Sequence, residues 1–225
     1  MKLIKSIAQH PVFASLPPNI QEQLAQQAIP RSYQKKEWIV HYQRVWPYLF
    51  IVEKGTIVAL KESSEGRSLI VTTIKEGEIF WGLAFFEDDS PMPVALVASE
   101  DSRIHIWSRE RLLPLLFENG RVSWELSRLM VKRMQRASEI VEDLAFRSVA
   151  GRLAHLLMER YQSPSAEPIA RDLTLDEMAA RIGSTREMVC RALYSFADDG
   201  MIDITRTEFV FTNRKKLHEV ALGGE

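Results

Sequence analysis

The sequence predicts an α+β protein: an N-terminal antiparallel β-roll or jelly roll, a long amphipathic helix, and a C-terminal winged helix-turn-helix. Three observations support this. Residues 31–107 hold closely spaced runs rich in Val, Ile, Thr and aromatics, punctuated by Gly55, Gly66 and Gly77. From about residue 109, apolar side chains recur every three or four positions. Near the C-terminus, two segments with helix-start signals flank Gly183, and an alternating stretch follows them.

Composition bounds the function classes. The 225 residues are 46% hydrophobic and 26% charged, enough apolar mass for one large or two smaller cores. A net charge of -1 points neither to nucleic acid nor to a membrane surface. Cys190 is the single cysteine, which excludes an internal disulfide and a multi-cysteine zinc or iron–sulfur site within one chain. The opening "MKLIKSIAQHP" lacks the apolar run of a signal peptide, and no segment has the length of a membrane span. The expectation is a cytoplasmic protein in a reducing compartment.

The elements follow in order. Residues 1–30 read as short helices broken by prolines; in "SLPPNIQEQLAQQA" a proline starts the helix and Ile20, Leu24 and Ala28 keep helical spacing. The strand candidates are "EWIVHYQ", "YLFIVEKGTIVALKES", "GRSLIVTTIKEGEIF" and "VALVASEDSRIHIWS". Within 109–147, Leu126, Met130, Met134, Ala137, Val141 and Leu144 form an imperfect coiled-coil seam. Such a stripe packs on its own roll or pairs with a second copy; its place between two domains favours the second. "SVAGRLAHLLMERY" is another amphipathic helix, and "QSPSAEPIARD" is a loop. "LTLDEMAARIG" opens with Thr174 and Glu177 at capping-box spacing, which Ser184 and Glu187 repeat. Gly183 makes the turn, Gly200 suits a helix C-cap, and "MIDITRTEFVFTN" alternates like a hairpin. The expected division is 1–118, 119–147 and 148–225.

The stretch "GSTREMVCRAL" bears on function. On a helix, Val189, Ala192, Leu193 and Phe196 share one arc, while Arg186, Glu187, Cys190 and Arg191 share the opposite one. Arginine can bond both guanine acceptors in the DNA major groove, and a carboxylate can accept from cytosine N4. Ser184, Thr185, Arg186, Glu187 and Arg191 are therefore candidate DNA contacts at the start of a recognition helix. Against this, residues 146–225 carry eleven Lys/Arg and twelve Asp/Glu, whereas DNA-binding domains are usually basic. Modest non-specific affinity is expected.

The order roll, long helix, winged helix, together with "LTLDEMAARIGSTREMVCRALYSFADDGMI", "YLFIVEKGTIVAL" and "SEIVEDLAFRSVAGRLAHLL", resembles the catabolite activator/fumarate–nitrate regulator (Crp/Fnr) family of bacterial transcription factors. The resemblance runs from about His10 to Asn213. It implies a homodimer on a two-fold symmetric DNA site, with a cyclic-nucleotide-binding-like roll. Arg186, Glu187 and Arg191 match the family's three base-reading positions, which implies TGTGA-like half-sites. The wing around Arg206 would contact phosphates, and the loop 162–170 matches the family's contact with RNA polymerase.

The effector motifs depart from the family. The phosphate cassette's glutamate, arginine and serine align with Gly82, Met92 and Pro93, and the adenine-contacting Thr-Ser pair with Ala137 and Ser138. A cyclic phosphate buried beside Met92 would lack its cation, so no cyclic AMP binding in the family manner is expected. Iron–sulfur and haem sensing are disfavoured too. The N-terminal cysteines are absent, and His10, His41, His105, His155 and His218 are scattered. Cys190 reads as a small residue facing the groove. Phe80, Trp81, Gly82, Leu83, Phe85, Phe86, Met92 and Met134, with Ala137 and Ser138, form the candidate effector pocket. They either fill the roll, the preferred reading, or take up an apolar small molecule. No cofactor or metal is expected. An enzyme of the cupin type is disfavoured because the roll offers only His41 and His105, with no His-x-His pair. Two alternatives stay open: a cyclic-nucleotide-like module acting on a protein partner, and a constitutive DNA-binding protein without an effector.

Overall fold

The computed structural model describes residues 2–64, 66–161, 167–205 and 207–223. The chain forms two compact units, one of residues 1–61 and 71–136, the other of residues 62–70 and 137–225.

The first unit is built on alternating strands. Two four-stranded sheets run β1-β8-β3-β6 and β2-β7-β4-β5, from β1 (Ile29–Tyr33), β2 (Trp38–Val40), β3 (Tyr48–Lys54), β4 (Ile57–Glu62), β5 (Ser68–Ile74), β6 (Ile79–Trp81), β7 (Ala95–Ala98) and β8 (Ser102–Ser108). Side chains two apart share a face. Phe50 and Val52 of β3 therefore join Leu96, Ile104 and Ile106 in one core. Leu49 and Ile51 turn the other way and meet Trp107, Phe13 and Leu24 in a second. That second core is closed by α1 (Lys2–Gln9), α2 (Pro18–Gln27), α3 (Arg109–Glu118) and the first half of α4 (Gly120–Phe146). Proline at the first position of α2 suits a site whose N–H has no intrahelical acceptor. Trp107 donates its indole N–H to the carbonyl of Leu24 at 2.8 Å, so its burial leaves no polar atom unpaired.

In α4, Val122 and Leu126 are buried, and Leu129 and Met130 pack partly on the same core. This corrects the predicted seam: Leu126 belongs to its own roll. Met134, Ala137, Val141 and Leu144 are exposed. Trp124 and Val131 are exposed as well. They lie two residues, about 200°, from Val122 and Leu129.

The second unit contains α5 (Val149–Arg160), β9 (Ile169–Ala170), α6 (Leu175–Ile182), α7 (Arg186–Asp198), β10 (Ile202–Ile204), β11 (Glu208–Phe211) and α8 (Arg214–Ala221). The hairpin predicted in "MIDITRTEFVFTN" is β10 and β11, with Ile202 opposite Phe211. Two elements are additions to the sequence reading. β9, in the segment read as loop, pairs with β11 and completes a three-stranded sheet. α8 buries Leu217 and Ala221. Two residues of strand are too few for a periodic signal, and α8 begins beyond the segments assigned from sequence. Arg152 of α5 ties helix ends together: its Nε donates to the carbonyl of Ile182 at 2.8 Å, and Nη1 donates to that of Arg147 at 2.7 Å. Those carbonyls lie at helix C-termini, where no further N–H turns back to meet them.

Two stability predictions follow from these positions. Gly183 adopts φ 62°, and a Cβ there would lie 2.8 Å from Leu144 Cδ2. Gly183→Ala should cost about 1–3 kcal/mol in urea unfolding, the range for a strained backbone position. His10 is held near pKa 4 by burial and then by the Arg133 charge. Its folded value lies below the unfolded one, so its neutral form is favoured, and stability falls as pH drops from about 6.5 to about 4. A His10→Gln variant should lose less melting temperature than the parent across that window.

Candidate nucleic-acid interface

The site is built from α6, one turn and α7. Thr174 caps α6: its hydroxyl accepts from the Glu177 N–H at 3.2 Å, and Glu177 accepts from the Thr174 N–H at 2.8 Å, the reciprocal box expected from sequence. Gly183 ends α6 in the left-handed conformation. The α7 cap corrects the expectation: Thr185, not Ser184, accepts from the Met188 N–H at 3.3 Å. The predicted spacing began one residue early. Gly200 follows α7 with φ 65°.

Val189, Ala192, Leu193 and Phe196 are all buried, in one core with Met178, Ile182 and Phe209. Their burial fixes the rotation of α7 about its axis. Arg186, Glu187 and Arg191 are thereby exposed, and Cys190 is half-buried at their margin. Both arginines already hold carboxylates: Arg191 donates to Glu187 at 2.8 Å, and Arg186 to Asp176 of α6 at 3.2 Å. Exposed pairs of this kind are worth at most about 1 kcal/mol and exchange readily for an outside partner. Tyr194, three residues after Arg191 on α7, is 64% exposed. The wing candidate Arg206 and residues 162–166 of the loop 162–170 lie outside the described residues. Beside the wing, Arg171 donates its backbone N–H to the carbonyl of Thr207 at 2.8 Å.

Behind this face, Asp172 accepts from the Arg160 guanidinium at 3.0 Å and from the Tyr161 hydroxyl. The Arg160 bond is the main influence holding the Asp172 carboxyl below its usual range. Burial, then the Asp172 bond, pushes Tyr161 up to about 12. This cluster is a brace between α5 and the segment before α6, with both partners satisfied.

Of the candidate effector residues, Phe80 to Phe86, Met92 and Met134 lie in the first unit, and Ala137 and Ser138 in the second. Trp81 and Phe85 join the helix-covered core, while Phe80 and Met92 join the core between the sheets. Phe80 and Trp81, neighbours on β6, enter different cores, yet their rings stack with centroids 6.0 Å apart. Leu83 and Phe86 are exposed in part, and Met134 is 67% exposed. The residue missed from sequence is Arg133. Its guanidinium lies 4.5 Å from the centroids of both Phe80 and Trp81 and donates to the Ile79 carbonyl. Burial lowers its pKa to about 10, still charged at neutral pH. Gly82 sits against the segment that leads into β3: a Cβ there would overlap the carbonyl oxygen of Trp46. Ala137 and Ser138 are exposed on α4. Among the described residues, no group of three or more His, Cys, Asp or Glu could hold a metal ion. No helix of the described residues is long and apolar enough to cross a membrane.

Comparison with known proteins agrees with this geometry. Residues 151–220 match the Crp-like helix-turn-helix domain, and residues 30–119 match the cyclic nucleotide-binding domain. The chain is 29% identical over 195 residues to the cAMP-activated global transcriptional regulator Vfr of Pseudomonas aeruginosa, covering 82% of this chain and 90% of that protein. It is 24% identical over 216 residues to the CRP-like cAMP-activated global transcriptional regulator of Mycobacterium tuberculosis, covering 94% and 96%. Among solved structures, a crp/fnr-family regulator from Eubacterium rectale superposes with a TM-score of 0.76 at 19% identity, covering 94% of this chain and 98% of that one. The chain belongs to the Crp/Fnr family: it is a DNA-binding transcription regulator and not an enzyme.

Proposed function

We propose that this regulator acts in the cytoplasm as a homodimer on a palindromic, TGTGA-like site. Arg186, Glu187 and Arg191 read base edges, while Ser184, Thr185 and Arg206 contact the backbone. The observation that carries this reading is the rotation of α7, whose apolar arc is buried and whose Arg-Glu-Arg arc is exposed. The proposed division of labour is a roll over 1–118, a dimer helix over 119–147 and a DNA-binding domain over 148–225. RNA polymerase is a proposed partner through the loop 162–170.

The dimer is proposed to form along α4. Trp124, Val131, Met134 and Val141 are 62%, 49%, 67% and 66% exposed, and successive members are seven, three and seven residues apart. That heptad spacing supports a two-stranded seam, and Ala137 and Leu144 flank it. A continuous stripe of this size is costly to leave in water.

The roll is proposed not to take cyclic AMP in the manner of the relatives whose names carry it. Gly82 cannot be replaced by a glutamate without moving the Trp46 carbonyl, and Met92 is buried among apolar side chains, which supports this reading. No cofactor is proposed; any effector would be an apolar small molecule.

The test is fluorescence anisotropy on a palindrome with two TGTGA-like half-sites against a scrambled duplex, with and without cyclic AMP. Specific, salt-sensitive binding without the nucleotide is expected; binding only with cyclic AMP would overturn the effector reading. Arg191→Ala should cost about 1–3 kcal/mol and relax selectivity at one base pair. For the dimer, Met134→Glu should shift the sedimentation equilibrium toward monomer and weaken binding to the palindrome more than to a single half-site.

A further inference from the structure

We infer that Asp176 is a specificity-determining positioning residue, acting on DNA through Arg186. The inference rests on α7 being the reading helix, and it goes beyond the base-reading set. Asp176 stands in the first turn of α6, ten residues before Arg186, and its Oδ2 lies 3.2 Å from Arg186 Nη1. Both side chains are about two-thirds exposed, so neither is held for packing. Glu177, its neighbour, is committed to the Thr174 cap, which leaves Asp176 as the first-turn carboxylate turned to the recognition helix.

The geometry gives the pair two effects. Asp176 engages only Nη1 among the described residues, so the Nη2 and Nε edge of the guanidinium stays available for a bidentate partner. The carboxylate biases the fork toward this pose at the start of α7, where recognition helices meet base edges. It also cancels the charge that Arg186 would otherwise offer to any passing phosphate. Non-specific binding is almost wholly phosphate neutralisation, whereas guanine recognition is directional hydrogen bonding. One carboxylate therefore weakens the first and supports the second. The even balance of eleven basic and twelve acidic residues over 146–225 is the same bias on the scale of the domain.

The experiment uses the full chain, as wild type, Asp176→Asn and Asp176→Glu, on a scrambled duplex and on the palindrome, at 50 and 200 mM salt. Thermal melting checks that all three are folded. On the scrambled duplex, Asp176→Asn should bind more tightly, with a log–log salt slope steeper by about 0.9, one added phosphate contact. Its gain at 50 mM should then exceed that at 200 mM by about 3.5-fold. The palindrome should gain less, so the ratio of specific to scrambled affinity falls, and Asp176→Glu should restore the wild-type slope. An unchanged slope, or equal gains on both duplexes, overturns the role of Asp176 while leaving the DNA-reading helix intact. Absence of wild-type binding to either duplex would instead overturn the reading helix, and the inference with it.

Discussion

The burial of Val189, Ala192, Leu193 and Phe196 is the constraint on which the functional face depends. Four apolar side chains at helical spacing leave α7 one rotation in which none meets water. Each is worth roughly 1–3 kcal/mol of burial, far more than the exposed ion pairs on the opposite arc can supply. The polar arc is therefore presented as a consequence of packing. Its arginines are held lightly, by Glu187 and Asp176, and stay open to exchange.

Around that rotation the second unit closes its helix ends. Gly183 allows α6 to stop in a left-handed turn, Thr185 caps α7, and Arg152 satisfies carbonyls at the ends of α4 and α6. Lys216 of α8 donates to the carbonyl of Asp199, the residue that caps the C-terminus of α7. α7 is thus fixed along its buried face and at both ends. A reading face needs that rigidity, since bidentate contacts lose their value when the fork is misplaced.

In the first unit, Trp81 and Phe85 pack in the helix-covered core, and Phe80 and Met92 pack in the core between the sheets. Gly82 lies against the Trp46 carbonyl, with no room for a Cβ. Met92 is buried in the inter-sheet core. Arg133 covers Phe80 and Trp81 from α4, with its charge spread over two rings and one carbonyl. Desolvating a guanidinium is costly, and the Glu78 charge works against that cost by favouring the charged form. The aromatic faces offset part of that cost.

Much of this was legible in the sequence because it is local. The Thr174–Glu177 box, the Gly183 turn and the two arcs of α7 depend on residues within one or two helical turns, where spacing determines direction. The strand-rich roll announced itself by alternation. The sequence alone did not decide which stripe of α4 faces inward: Leu126 shares the spacing of Met134 and Val141 yet is covered by its own roll. Nor did it show Arg133 over Phe80 and Trp81, Asp176 beside Arg186, or β9 against β11. The period of a helix says which residues share a face, but only the tertiary structure says what that face meets. Contacts between elements far apart in the chain are set by how those elements pack, and they leave no spacing for a sequence to carry.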